Sequence, residues 1–132
     1  ACVWSAGRSS WKALRARADA NAGALNAYVD QSAWLANLAT APATRSNTSV
    51  CLVINDPDIL ALDKDAQANF AKAIASQLEK EGVAFDIGSY RDAPAGLRIW
   101  CGATVETADI KALTIWLDFA FASQKAALKA AA

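Results

Sequence analysis

The chain has 132 residues, 13 basic against 13 acidic side chains, and an apolar fraction of 55%. That length makes one domain with a core of its own, and zero net charge argues against nucleic acid or an anionic membrane surface as a partner. There is no histidine, so the commonest general base and the commonest metal ligand are both missing and no metal site is expected.

From Trp11 the apolar spacing is helical: Trp11, Leu14, Ala18, Ala22, Leu25, Tyr28 and Val29 fall on one face. Gly7, Ser9 and Ser10 suggest a break before it, with Ser10 as the cap. Lys12, Arg15 and Arg17 crowd its first turns, where the helix dipole disfavours cations. A negative partner would account for them; continuation of the helix into a larger upstream structure is the reading preferred here. Residues 33–39 form a weak strand, and 40–49 a polar loop. Val50-Cys51-Leu52-Val53-Ile54 has the β-branched, apolar pattern of a central strand. Asp56-Pro57 starts a short helix, and Asp63 caps a longer one from about Lys64 to Glu81, stopped by Gly82.

Residues 83–87 alternate like a strand and should pair antiparallel with the next one, because the loop between them is too short for a helical crossover. That next strand is Gly96-Leu97-Arg98-Ile99-Trp100-Cys101-Gly102. Side chains alternate along it, so Arg98 and Trp100 share one face while Leu97, Ile99 and Cys101 share the other. Thr104 or Thr107 should cap a final helix whose core face is Ile110, Leu113, Leu117, Phe121 and Leu128, frayed after residue 129. The expected architecture is an α/β two-layer sandwich: a mostly antiparallel sheet of three or four strands with about three helices on it.

Few residues offer chemistry. The seven lysines (12, 64, 72, 80, 111, 125 and 129) fall at solvated helical positions, and none suits a Schiff base. Asp56 with Asp58, and Asp63 with Asp65, read as helix caps. Cys51 and Cys101 sit in apolar runs and read as reduced core thiols, which with the lack of a signal peptide or of a span of ~20 apolar residues suggests a cytoplasmic protein. The arginines remain. Arg91 lies in a loop and Arg98 on the following strand, and planar guanidinium groups capture carboxylate or phosphate bidentately. Taken alone, Arg98 is either such a ligand or an edge charge facing water. Arg45 is a weaker third candidate.

The segment 96–102, with Thr104-Val105-Glu106 and Asp109-Ile110-Lys111-Ala112-Leu113, resembles the end of class V aminotransferases, pyridoxal-phosphate enzymes of fold type I. Three more stretches resemble phosphoserine aminotransferases in particular: Ala16-Arg17-Ala18-Asp19-Ala20-Asn21, residues 43–52 from Ala43-Thr44-Arg45, and Tyr90-Arg91-Asp92-Ala93-Pro94. The resemblance implies that residues 11–132 are the C-terminal small domain of such an enzyme and residues 1–10 a remnant of the large domain or linker, in keeping with an Ala1-Cys2-Val3 start that has no methionine. It implies that Arg98 binds the substrate α-carboxylate and Arg91 the substrate phosphate. Here Tyr90 stands where related members often have histidine, and the spacing from Arg91 to Arg98 is one residue longer. The implied substrates are phosphoserine and glutamate. Pyridoxal phosphate and its lysine would belong to the rest of a dimeric parent, and this piece alone would bind no cofactor and be inactive. Two alternatives remain: a freestanding module that binds an anionic metabolite, and the same domain of a serine–glyoxylate transaminase or desulfurase relative. The apolar excess also predicts self-association of the isolated chain.

Overall fold

A computed structural model describes residues 8–132. The elements in chain order are α1 (Arg8–Gln31), β1 (Leu35–Asn37), a single 3-10 turn (Pro42–Thr44), β2 (Ser49–Ile54), α2 (Pro57–Leu60), α3 (Lys64–Lys80), β3 (Gly96–Trp100) and α4 (Thr107–Ala131). The three strands form one antiparallel sheet in the order β1-β2-β3. The described residues therefore form an α/β two-layer structure with three strands and four α-helices.

The register explains the layers. Val50 pairs with Ile99 and Leu52 with Leu97, and all four are buried. Their neighbours Ser49, Cys51, Arg98 and Trp100 project to the other face and are half-buried or exposed. Alternation along β2 and β3 thus turns one face to the helices and leaves the other partly open. On the covered side Ala22, Leu25 and Val29 of α1, Phe70, Ile74 and Leu78 of α3, and Ile110, Leu117 and Ala120 of α4 complete the core. Phe121 stacks on Trp34 at 4.3 Å and meets Phe70 edge-on at 5.9 Å, which ties α4 to the entry of β1 and to α3. Asp118, the one acid in that aromatic stretch, accepts hydrogen bonds from Tyr28 Oη (2.7 Å) and Trp34 Nε1 (2.8 Å). Burial, then Asp118, holds the Tyr28 hydroxyl above its ordinary pKa.

Several local expectations need correction. Residues 83–87 are not a strand. Gly82 takes a left-handed φ of +70° as the helix stop, and Asp86 then takes φ +54°. A left-handed residue cannot continue a strand, and side-by-side pairing with β3 shrinks to one bridge, Gly88 to Leu97, plus Arg98 N–H donating to Ile87 O at 2.8 Å. Ser9 and Ser10 lie inside α1, so the break expected before Trp11 is absent; residues 1–7 lie outside the described residues. Neither Thr104 nor Thr107 caps α4. Their hydroxyls bond Trp100 and Asn21 instead, and the cap position is Glu106, which makes no side-chain cap bond. The helix also runs on to Ala131. For Arg17 the negative partner expected as one alternative lies within the chain: its guanidinium bonds Glu106 Oε1 at 2.8 Å and Ala103 O at 3.1 Å.

The caps at the aspartates hold. Asp63 Oδ1 accepts from Ala66 N at 2.8 Å, and Asp56 Oδ1 accepts from Asp58 N and Ile59 N. Asp56 has a second role. Lys125 Nζ donates to Asp56 Oδ2 (2.7 Å), and it lies 2.9 Å from Asp58 Oδ2, which clasps α4 to the start of α2. The hydrogen bond and charge of Lys125 hold the Asp58 carboxyl below its ordinary 3.8, and bonds to Asp56 and Asp58 hold Lys125 above its ordinary 10.5. A lowered carboxyl pKa contributes stability that is present above the unfolded value and lost as pH falls through the folded one. A raised lysine pKa contributes stability that is lost as pH rises through it. Lys125→Met should therefore lower the melting temperature by a constant amount between about pH 5 and 9. That deficit should shrink below about pH 3.8, as read by thermal unfolding followed by circular dichroism.

Candidate functional site

Arg98 occupies the middle of β3, opposite Cys51, on the open face of the sheet. Its side chain keeps 24% of its surface. Nη2 donates to both the carbonyl of Asp86 (3.3 Å) and Asp86 Oδ2 (2.9 Å). Both bonds from one nitrogen are possible because Asp86 is in the left-handed region, which turns its carbonyl and its side chain toward the same guanidinium. The Tyr90 ring lies 4.7 Å from the guanidinium carbon, a cation–π contact. Arg98 Nε is buried with no partner among the described residues, as is Ser49 Oγ on the same face. Asp86 first, then Tyr90, holds the guanidinium pKa above its ordinary value, so Arg98 is a fixed cation.

Two clefts meet here. One of about 370 Å³ is lined by Arg98 and Trp100 of β3, Phe85 and Asp86 of the preceding turn, and Asp109 and Ile110 of α4. The other, of about 580 Å³, lies between α3 and the loop before β3 and is lined by Lys72, Ser76, Glu79, Ser89 and Arg91. Asp86 and Ile87 line both and form the ridge between them. Arg91 is exposed in its loop. The structure thus places Arg98 and Arg91 on adjoining clefts, and neither cleft is lined by both. Arg45 lines neither; its Nε bonds Ala39 O at 3.0 Å and closes the loop after β1.

Strand β3 ends in a turn that carries the site. The Trp100 ring packs flat over Gly102, where an added Cβ would collide with it, and Trp100 Nε1 donates to Thr104 Oγ1 at 3.0 Å. Beneath the turn lies Asn21 of α1, 1% exposed. Its Nδ2 donates to the carbonyls of Cys101 (3.1 Å), Gly102 (3.2 Å) and Val105 (3.0 Å), and its Oδ1 accepts from Thr107 Oγ1 at 2.6 Å. Two hydrogens serve three acceptors, so one is shared. Residue reading alone assigned no role to Asn21 or to Asp86. The only signal for Asn21 is an amide on the apolar stripe of α1, between Ala18 and Leu25.

The other candidates separate cleanly. Cys101 is fully buried, and burial pushes its thiol up to about 11, which leaves it un-ionised at neutral pH. Cys51 is half-buried on the open face. Lys125 is tied up in its clasp, and the remaining six lysines are exposed. Among the described residues no group of three or more Cys, Asp or Glu side chains could hold a metal ion, and no helix is long and apolar enough to cross a membrane.

Over 118 residues the chain is 41% identical to phosphoserine aminotransferase of Methanosarcina barkeri and 39% identical to that of Methanosarcina mazei. The chain is similar to a segment of these aminotransferases. In both cases the match takes in 89% of this chain and 29% of the relative, so the chain spans under a third of the length of the curated relatives it matches. No protein-family profile matches it.

Asn21 holds the exit of β3, the strand that carries Arg98, and its removal strands three carbonyls. Each buried group left without a partner costs about 1–3 kcal/mol. Asn21→Ala should lower the unfolding free energy by about 2–4 kcal/mol in urea titration. Asn21→Asp, which keeps the acceptor and loses the donors, should cost at least as much.

Proposed function

We propose that this chain is the C-terminal small domain of a phosphoserine aminotransferase, and that Arg98 anchors the α-carboxylate of glutamate and of phosphoserine. The observation that carries this reading is the placement of Arg98. It is a half-buried cation in mid-strand, aimed off the helix-covered face into a cleft that Trp100 also lines. Aromatic and backbone packing fix its orientation. Arg91, exposed on the adjoining cleft with Lys72 and Ser89, is proposed for the substrate phosphate. The sequence similarity to aminotransferases supports the class of chemistry.

The residues of this chain do not compose a pyridoxal-phosphate site by themselves. Six of its lysines are exposed and the seventh is held charged between two aspartates. The cofactor, which supplies the electron sink of a transamination, and its lysine are assigned to the rest of a longer, dimeric parent. What this domain contributes is geometry: a fixed cation that sets where the substrate carboxylate lies, and so how the reacting carbon is presented. The exposed Trp11 and Leu14 of α1, and Phe85 and Trp100 at the cleft mouth, fit a domain that buries these faces against that larger part.

Loss of a charge-assisted bidentate contact costs about 1.5–3 kcal/mol. In the complete enzyme, Arg98→Ala should raise KM for both glutamate and phosphoserine about ten- to hundredfold. An unchanged KM for both would remove Arg98 from the site. The isolated chain mixed with pyridoxal phosphate should show neither a new visible absorption band nor turnover of phosphoserine; either one would overturn the domain's dependence on a larger partner.

A further inference from the structure

We infer that Asp86 is an internal occupant of the Arg98 carboxylate site, a built-in competitor that an incoming substrate carboxylate must displace and that thereby sets the affinity of the site. The inference rests on the reading of Arg98 as the carboxylate anchor.

The argument starts from the guanidinium. A carboxylate can grip it bidentately along the Nε/Nη2 edge or across the Nη1/Nη2 end. Nε is buried, so the first edge is closed to a ligand. The open end includes Nη2, and Nη2 already bonds Asp86 twice, to its carbonyl and to its carboxylate. A bidentate ligand therefore needs the position that Asp86 Oδ2 now holds at 2.9 Å. The chemistry of resident and visitor is the same.

Asp86 is suited to leave. Its side chain is 89% exposed, so it returns to water at little cost, and an exposed ion pair is a weak one. Its backbone is what holds it in place. At φ +54° it occupies a conformation that Asp and Asn tolerate better than most residues, on the ridge between the two clefts. Outward rotation of the side chain opens the Arg98 end without moving β3. The cleft's charge balance agrees: with Asp86 and Asp109 both lining it against one arginine, it disfavours an anion until Asp86 turns away. Tyr90 stays against the guanidinium and keeps it aimed.

The test uses the complete aminotransferase and glutarate, a dicarboxylate with no amino group to transfer, bound at equilibrium by calorimetry. Asp86→Asn keeps the backbone preference and removes the charge. Asp86→Gly also removes the side chain and relaxes the left-handed backbone. Both should lower the glutarate Kd, and the KM for glutamate, about two- to fivefold, the size set by an exposed ion pair. Asp86→Glu should stay near wild type. The combined Arg98→Ala and Asp86→Asn variant should bind no tighter than Arg98→Ala alone. Unchanged or weaker binding in both Asp86→Asn and Asp86→Gly overturns the proposal while leaving the Arg98 assignment standing, provided Arg98→Ala has lost glutarate. If Arg98→Ala binds glutarate as wild type does, the carboxylate site itself falls, and the role of Asp86 with it.

Discussion

One buried amide organises this domain. Asn21 stands in the middle of α1, among alanines and Leu25, and spends its donors on the carbonyls at the exit of β3 and its acceptor on the first residue of α4. A strand that ends in a turn leaves carbonyls with no ladder partner, and a helix start leaves donors with none. Asn21 satisfies the carbonyls of that junction from below. A change there would strand several groups at once, which gives the contact more weight than an ordinary side-chain bond. Arg17, one helical turn earlier, adds Ala103 O and Glu106 from the solvent side. The first helix, far away in sequence, thus decides where the last strand stops.

That placement matters because Arg98 sits on the open face of the sheet. Leu97 and Ile99 point into the core opposite Leu52 and Val50, so Arg98 and Trp100 must point away. The core thus orients the arginine through its neighbours, without touching it. On the open face the arginine meets Asp86, from the segment that failed to become a strand, and Tyr90, from the loop that follows it. Had residues 83–87 paired fully with β3, Asp86 would have been extended beside it. The left-handed turn at Asp86 is what swings a carboxylate onto the guanidinium.

Among the large apolar side chains left exposed, two groups stand out. Phe85, Tyr90 and Trp100 gather around the arginine's clefts. Ile115, Trp116 and Phe119 lie along α4, with Trp116 edge-on to Phe119 at 5.7 Å. Part of the apolar excess in the composition is therefore surface.

Much was legible without the fold. Alternation alone put Arg98 and Trp100 on one face, because period two leaves no other choice. Asp56 and Asp63 announced their helices, since a carboxylate before a helical stretch is satisfied by free amides close at hand. The sheet, the helices and the similarity to aminotransferases followed from local patterns of this kind. Residues 83–87 did not, because alternation is a necessary sign of a strand and pairing is decided by the neighbour. Nor did the partners of Asn21, Arg17 and Lys125, each of which lies 67 or more residues away. A side chain whose meaning comes from a distant carbonyl or carboxylate carries no local mark. The tertiary structure alone decided that Arg98 already holds a carboxylate, and that Arg91 faces the next cleft.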